Sequence, residues 1–213
     1  PGVGKTLALR AFVDQLNENL FRPVYTPLTT LQGADLLRHI NQRLGLPNRG
    51  TKSAIYVQIQ QELLESRAQK GRTTVLIIDE AQLLGVGPLQ ELRLLTNFKM
   101  DSFDPFILIL AGQSDLRRIM DFAIMEPLNQ RLSLTYHMPP LTPDETATYI
   151  QNQMKLAGAP EPLFDDDALG AIHEITFGIP RKIGGLAERA LTYAMFADKR
   201  TIDADMVLAV KQG

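Results

Sequence analysis

The stretch TTVLIIDE at residues 73–80 constrains this chain most. Four consecutive apolar residues, three of them β-branched, exclude the alternating pattern of a half-buried strand. They predict a strand buried on both faces, as in a parallel sheet covered by helices. Parallel strands cannot be joined by a tight hairpin, so helical crossovers are expected on either side. The run ends in Asp79 and Glu80, two acids at the point where a buried strand comes back to solvent.

A second stretch, PGVGKT at residues 1–6, fits the later part of the phosphate-binding pattern G-x-x-x-x-G-K-[ST]. Gly2 and Gly4 permit positive φ and close approach of the backbone. The amides of Pro1–Leu7 (that is, Pro1, Gly2, Val3, Gly4, Lys5, Thr6 and Leu7, proline itself lacking an N–H) then form a cradle at a helix N-terminus, where anions are favoured. Lys5 supplies a point charge for β- and γ-phosphates, and the Thr6 hydroxyl is a ligand for Mg²⁺. By itself this stretch also fits a glycine turn before a helix, and Asp79–Glu80 also fits an acidic N-cap pair. Together, 74 positions apart, they predict ATP as the ligand. Asp79 then holds Mg²⁺ through water, and Glu80 orients and deprotonates the attacking water.

Such a loop follows a central β-strand, and none precedes Pro1. A sheet without that strand would bury unpaired backbone groups, which predicts that these 213 residues are a stretch of a longer chain.

Three more residues are candidates. In ILILAGQSDLRR a second buried strand ends at Gln113, a polar group placed to touch a γ-phosphate or the water; a loop glutamine without a role is the alternative. Arg131, in LNQRLSLTYH, lies at a helix end and would reach a neighbouring subunit's nucleotide, with Arg117 and Arg118 competing for that role. Arg181, in GIPRKIGGL, begins a helix and would couple a lid to the γ-phosphate. For Arg131 the alternative is a surface salt bridge, and for Arg181 a structural helix cap with a solvated side chain.

Helical periodicity follows residue 5, recurs over 33–46 and from 52 to about Arg67, and again over 87–98. PVYTPL at 23–28 and PFILILAG at 105–112 read as strands, LSLTYHM at 132–138 alternates like one, and Ser114 is placed to cap the next helix. Beyond the proline pair at 139–140 only helices are expected: 143–157, 165–176, 180–197 and 203–211. This divides the chain into an α/β nucleotide-binding domain over 1–138 and a helical lid over 139–213. FDDDAL at 164–169 fits helix capping, not a metal site.

The chain contains 45% hydrophobic residues and no cysteine, which excludes disulfides and thiolate metal centres and suits a cytoplasmic address. His39, His137 and His173 are too scattered for a metal site. Net charge is +4 over residues 1–100 and −6 over 101–213. Neither half is basic enough to announce nucleic-acid binding.

As a set, PGVGKT, VLIIDEAQ, LQELRLLTNF, LILAGQSDLRR, LNQRLSLTYHMPPL and GIPRKIGGLAERAL resemble the ExeA/GspA-like branch of AAA+ ATPases. The resemblance covers nearly the whole chain. It implies a P-loop αβα sandwich with a parallel sheet and a small helical lid, and homo-oligomers, rings or filaments, with ATP and Mg²⁺ at subunit junctions. It further implies Gln113 as sensor 1, Arg131 as arginine finger and Arg181 as sensor 2. One group of the family drives assembly of a secretion channel in the cell envelope. Another, resembling TniB, TnsC and MuB, coats double-stranded DNA and delivers target to a DDE transposase. The expectation taken forward is an ATP-hydrolysing regulator of transposition. A secretion-channel ATPase with envelope partners is the alternative, and a nucleotide-gated scaffold without turnover is the third reading.

Overall fold

A computed structural model describes residues 2–27, 33–98, 104–159 and 161–211. The chain divides into two compact units, Thr6–Thr135 and Pro1–Lys5 with Tyr136–Gly213.

The first unit is built on a parallel three-stranded sheet, β1 (Phe21–Pro27), β2 (Thr73–Asp79) and β3 (Phe106–Leu110), with β2 in the centre. The apolar run singled out in the sequence is thus the strand with a neighbour on both sides, and Thr74–Asp79 are all buried. Between the strands run α2 (Gly33–Arg43), α3 (Lys52–Ala68) and α4 (Val86–Leu95); α1 (Lys5–Asp14) precedes them, and α5 (Ser114–Met120) and α6 (Glu126–Asn129) follow. Side chains alternate across a strand. The β1–β2 register therefore puts Val24, Leu76 and Ile78 on one face, and Tyr25, Ile77 and Asp79 on the other. The first set joins the core made by Leu36, Leu37 and Ile40 of α2, Ile55, Ile59 and Leu63 of α3, and Leu89, Leu92 and Leu95 of α4. The i, i+4 spacing of Ile55, Ile59 and Leu63 keeps one stripe of α3 against the sheet. Each such side chain contributes about 1.5–3 kcal/mol on burial.

The expected strand at 132–138 does not form. Among the described residues the segment pairs with no strand, and Leu134 and Tyr136 are 83% and 76% exposed. Alternation alone does not make a strand, because the conformation is held by hydrogen bonds to a neighbour. Ser114 does not cap α5 either. The N-cap is Gln113, whose side chain makes no capping bond.

The second unit contains α7 (Pro143–Leu156), α8 (Asp166–Thr176), α9 (Pro180–Phe196) and α10 (Ala204–Ala209). Their starts follow from local chemistry. Thr142 and Glu145 form a reciprocal capping box with Pro143 in the first turn of α7. Asp165 accepts from the Ala168 amide and Asp203 from the Met206 amide. The aspartates of FDDDAL are therefore a cap and a first turn, as expected. The segments leading into α8 and α10 meet in a parallel bridge, Phe164 to Ile202. Around them Ile150, Ile172, Ile183, Leu186, Ala190 and Val207 form a separate core.

Candidate nucleotide-binding site

Thr6 is the second residue of α1. Its hydroxyl donates to Asp79 Oδ2 at 2.7 Å, which ties the helix that follows the glycine loop to the tip of β2. Asp79 is 3% exposed, and every bond it makes comes from a donor. Tyr25, on β1, donates its hydroxyl to the same Oδ2 at 2.9 Å, and the Glu80 amide donates to Oδ1 at 2.9 Å. A buried carboxylate requires such partners, since an unpaired one would be costly. Burial first, then the hydrogen bond and charge of Asp79, raise the Tyr25 hydroxyl above its usual value of 10.0, with Arg10 opposing. Tyr25 is therefore a neutral donor at physiological pH.

The loop before Thr6 has the backbone expected of it. Gly2 and Gly4 have φ of +84° and +96°, a region that L side chains rarely occupy. Gly2 is also needed for space: a Cβ there would lie 3.0 Å from Arg181 Cβ, and the Arg181 amide donates to the Gly2 carbonyl at 3.2 Å. Pro1 lies outside the described residues. Leu7 is 65% exposed, while Val3 and Lys5 are half-buried.

Past Asp79 the chain turns sharply. Glu80 adopts the left-handed conformation, φ 54° and ψ 35°, which is uncommon for a non-glycine residue and recurs at functional sites. The ladder continues beyond the strands, since the Ala111 amide donates to Ile78 O at 2.9 Å and the Ala81 amide to Ala111 O at 2.8 Å. This brings the tips of β2 and β3 side by side. Glu80 Oε2 consequently accepts from Gln113 Nε2 at 3.1 Å and from Gln82 Nε2 at 2.6 Å. Of the expected residues the structure therefore groups Thr6 with Asp79, and Glu80 with Gln113.

Arg131 sits in the turn after α6, and its Nη1 donates to the Thr96 carbonyl at the end of α4, at 2.9 Å. Arg181 is exposed at the start of α9. Arg118 makes an exposed pair with Asp115. The sequence reading missed two residues of the cluster. Gln82 was visible within DEAQ but carried no assignment. Tyr25 gave no signal beyond its place near the end of a strand.

Among the described residues, no three His, Cys, Asp or Glu side chains converge. The donor set here is instead one hydroxyl and one carboxylate, 2.7 Å apart. Hard oxygens of this kind suit Mg²⁺, which keeps most of its shell as water and phosphate oxygens. Also among the described residues, no helix is long and apolar enough to cross a membrane.

Residues 1–120 match the family model described as AAA domain. The chain is 33% identical over 214 aligned residues to general secretion pathway protein A of Aeromonas hydrophila; the match covers 98% of this chain and 38% of that protein. Among solved structures, Cdc6p of Pyrobaculum aerophilum aligns with a TM-score of 0.68 at 20% identity, covering 95% of this chain and 55% of that one. The Aeropyrum pernix ORC2 protein aligns at 0.67 and 16% identity, covering 99% and 59%. These likenesses establish the fold. With its glycine loop, parallel sheet and acidic strand tip, the chain belongs to the AAA domain family and has the AAA+ P-loop fold, with general secretion pathway protein A as a sequence relative.

Proposed function

We propose that the chain is an ATPase, with Thr6 at the start of α1 and the tips of β2 and β3 as the described part of its site. The Thr6–Asp79 hydrogen bond carries this reading. It joins the residue that follows Gly4 and Lys5 to the acid at the end of the central strand, the two positions that a Mg·nucleotide needs together. Loop amides and Lys5 bind the phosphates, and Thr6 and Asp79 hold Mg²⁺. Bound there, Mg²⁺ withdraws charge from the β- and γ-oxygens. Glu80 accepts a proton from water as that oxygen attacks the γ-phosphorus. The bond to the bridging oxygen breaks, leaving ADP and phosphate. Gln113 orients the γ-phosphate, Arg131 serves a neighbouring subunit of a homo-oligomer, and Arg181 links α9 to the loop through Gly2.

The test is calorimetry with Mg·ATP together with phosphate release. Lys5→Ala is expected to abolish binding. Glu80→Gln is expected to keep binding and lose turnover by at least about a hundredfold, in the range of general-base removal. Binding without turnover in the wild type would instead support the nucleotide-gated scaffold.

For the wider role, 33% identity to general secretion pathway protein A favours a secretion-type assembly ATPase over the transposition regulator expected first. The chain spans 38% of that relative's length, so envelope partners remain part of the proposal. Double-stranded DNA and a transposase as partners rest on the sequence resemblance alone. Co-purification of the full-length protein with envelope components, against ATP-stimulated DNA retention, separates the two.

A further inference from the structure

Gln82 makes two hydrogen bonds that no assigned role uses. Its Nε2 donates to Glu80 Oε2 at 2.6 Å, and its Oε1 accepts from the Gln113 backbone amide at 3.0 Å. One half-buried side chain thus spans from the tip of β2 to Gln113, the third residue beyond β3. The surroundings leave room for it. A Cβ on Gly112 would lie 2.8 Å from Gln82 Oε1, and equally close to Leu116 Cδ2. The residue that precedes Gln113 therefore admits the amide because it has no side chain. Gln82 itself lies in the 3₁₀ turn Ala81–Leu84, which the left-handed backbone of Glu80 starts. The turn returns position 82 towards the carboxylate two residues earlier.

The consequence concerns the geometry of Glu80. Both amides, from Gln82 and Gln113, address Oε2, and no described residue donates to Oε1. A carboxylate held through one oxygen presents the other in a defined direction. The Gln113 amide is also the group placed to meet a γ-phosphate, so its own bond to Glu80 is open to exchange during turnover. The Gln82 bond has no such competitor.

The geometry points to Gln82 as the positioning residue of Glu80: it fixes Oε2 and the Gln113 backbone together, so that Oε1 faces the attacking water. This rests on the ATPase reading above, and Gln82 acts through Glu80 without touching substrate. Gln82→Met keeps the volume and removes both hydrogen bonds. Gln82→Glu keeps an acceptor for the Gln113 amide but sets a like charge against Glu80.

The experiment measures phosphate release at saturating Mg·ATP, and binding of a fluorescent ATP analogue, in the full-length protein and in both variants with and without Glu80→Gln. For Gln82→Met the expected result is a fall in kcat of about tenfold with analogue binding within twofold of wild type. Gln82→Glu is expected to fall further. In the Glu80→Gln background neither change should lower the residual rate again, since residues acting as a unit are non-additive. Unchanged kcat in Gln82→Met, or the same fold-loss with and without Glu80, overturns the positioning role alone. Absence of Mg·ATP turnover in the wild type overturns the ATPase reading and this inference together. Should Gln82→Met fail to fold, Gln82→Glu decides by the same criteria.

Discussion

Tyr25 and Thr6 deliver their hydroxyl protons to one and the same oxygen, Asp79 Oδ2, at 2.9 and 2.7 Å. The acid expected to hold Mg²⁺ is thereby aligned from β1 as well as from α1. Hydrogen bonds to a charged group contribute about 1.5–3 kcal/mol when enclosed, and the 37% exposure of Tyr25 reduces that. Tyr25→Phe is expected to raise the Mg²⁺ concentration for half-maximal ATP-analogue binding by about fivefold, corresponding to about 1 kcal/mol. A magnesium titration of analogue fluorescence checks this, and an unshifted midpoint would remove Tyr25 from the site.

The ionisation of Tyr25 provides a second check. Its value is raised above 10.0, first by burial and then by Asp79. The neutral hydroxyl, and any stability it confers, is fully present below pH 10.0 and is lost as pH rises through the raised value. In difference titrations of wild type against Tyr25→Phe, tyrosinate absorbance from this residue should develop above pH 10.0. In Asp79→Asn it should develop at lower pH than in the wild type, though part of the elevation should survive because burial is the larger cause.

His39 on α2 carries the opposite shift. Burial, then the charge of Arg43, lowers it from 6.5, and its Nε2 is buried without a hydrogen-bond partner. A histidine held neutral leaves stability intact above pH 6.5, and stability is lost as pH falls from there through the lowered value. Replacing it in His39→Leu should flatten the denaturation midpoint between pH 7.5 and about pH 5.5 relative to wild type. Parallel pH dependence in the two proteins would assign the loss elsewhere.

Arg131 is tied to the Thr96 carbonyl within its own chain, while its proposed role is in a neighbouring subunit. Arg131→Ala should retain analogue binding and lose turnover. Mixing it with Glu80→Gln should restore part of the activity, because a junction can then combine one subunit's Glu80 with the other's Arg131. If both variants are inactive alone and in mixtures, the intersubunit role is wrong.

Thr142→Ala removes half of the α7 capping box and should cost about 1 kcal/mol. Faster amide exchange confined to the first turn of α7 would show it. No change would mean that Pro143 and the helix packing suffice.

The parts of this molecule that could be read from its sequence are those decided locally. An unbroken VLII run can only be buried on both faces, aspartates ahead of a helix cap it, and glycines flank phosphate loops. These placed β2, the start of α8 and the loop. The segment at 132–138 misled because pairing depends on a partner that alternation does not specify. Ser114 misled because capping serine and pre-helical glutamine differ by a single backbone position. The contacts of Tyr25 and Gln82 span 54 and 31 positions. They arise from strand register and from the ladder running on to Ala111, neither of which is written in composition or periodicity.

The bridge between Phe164 and Ile202 lies directly before two helix caps, Asp165 and Asp203. One small knot of backbone therefore anchors the beginnings of both α8 and α10. Neither helix can fray from its leading end without loosening the other's footing, so this part of the chain should melt as one block and not helix by helix.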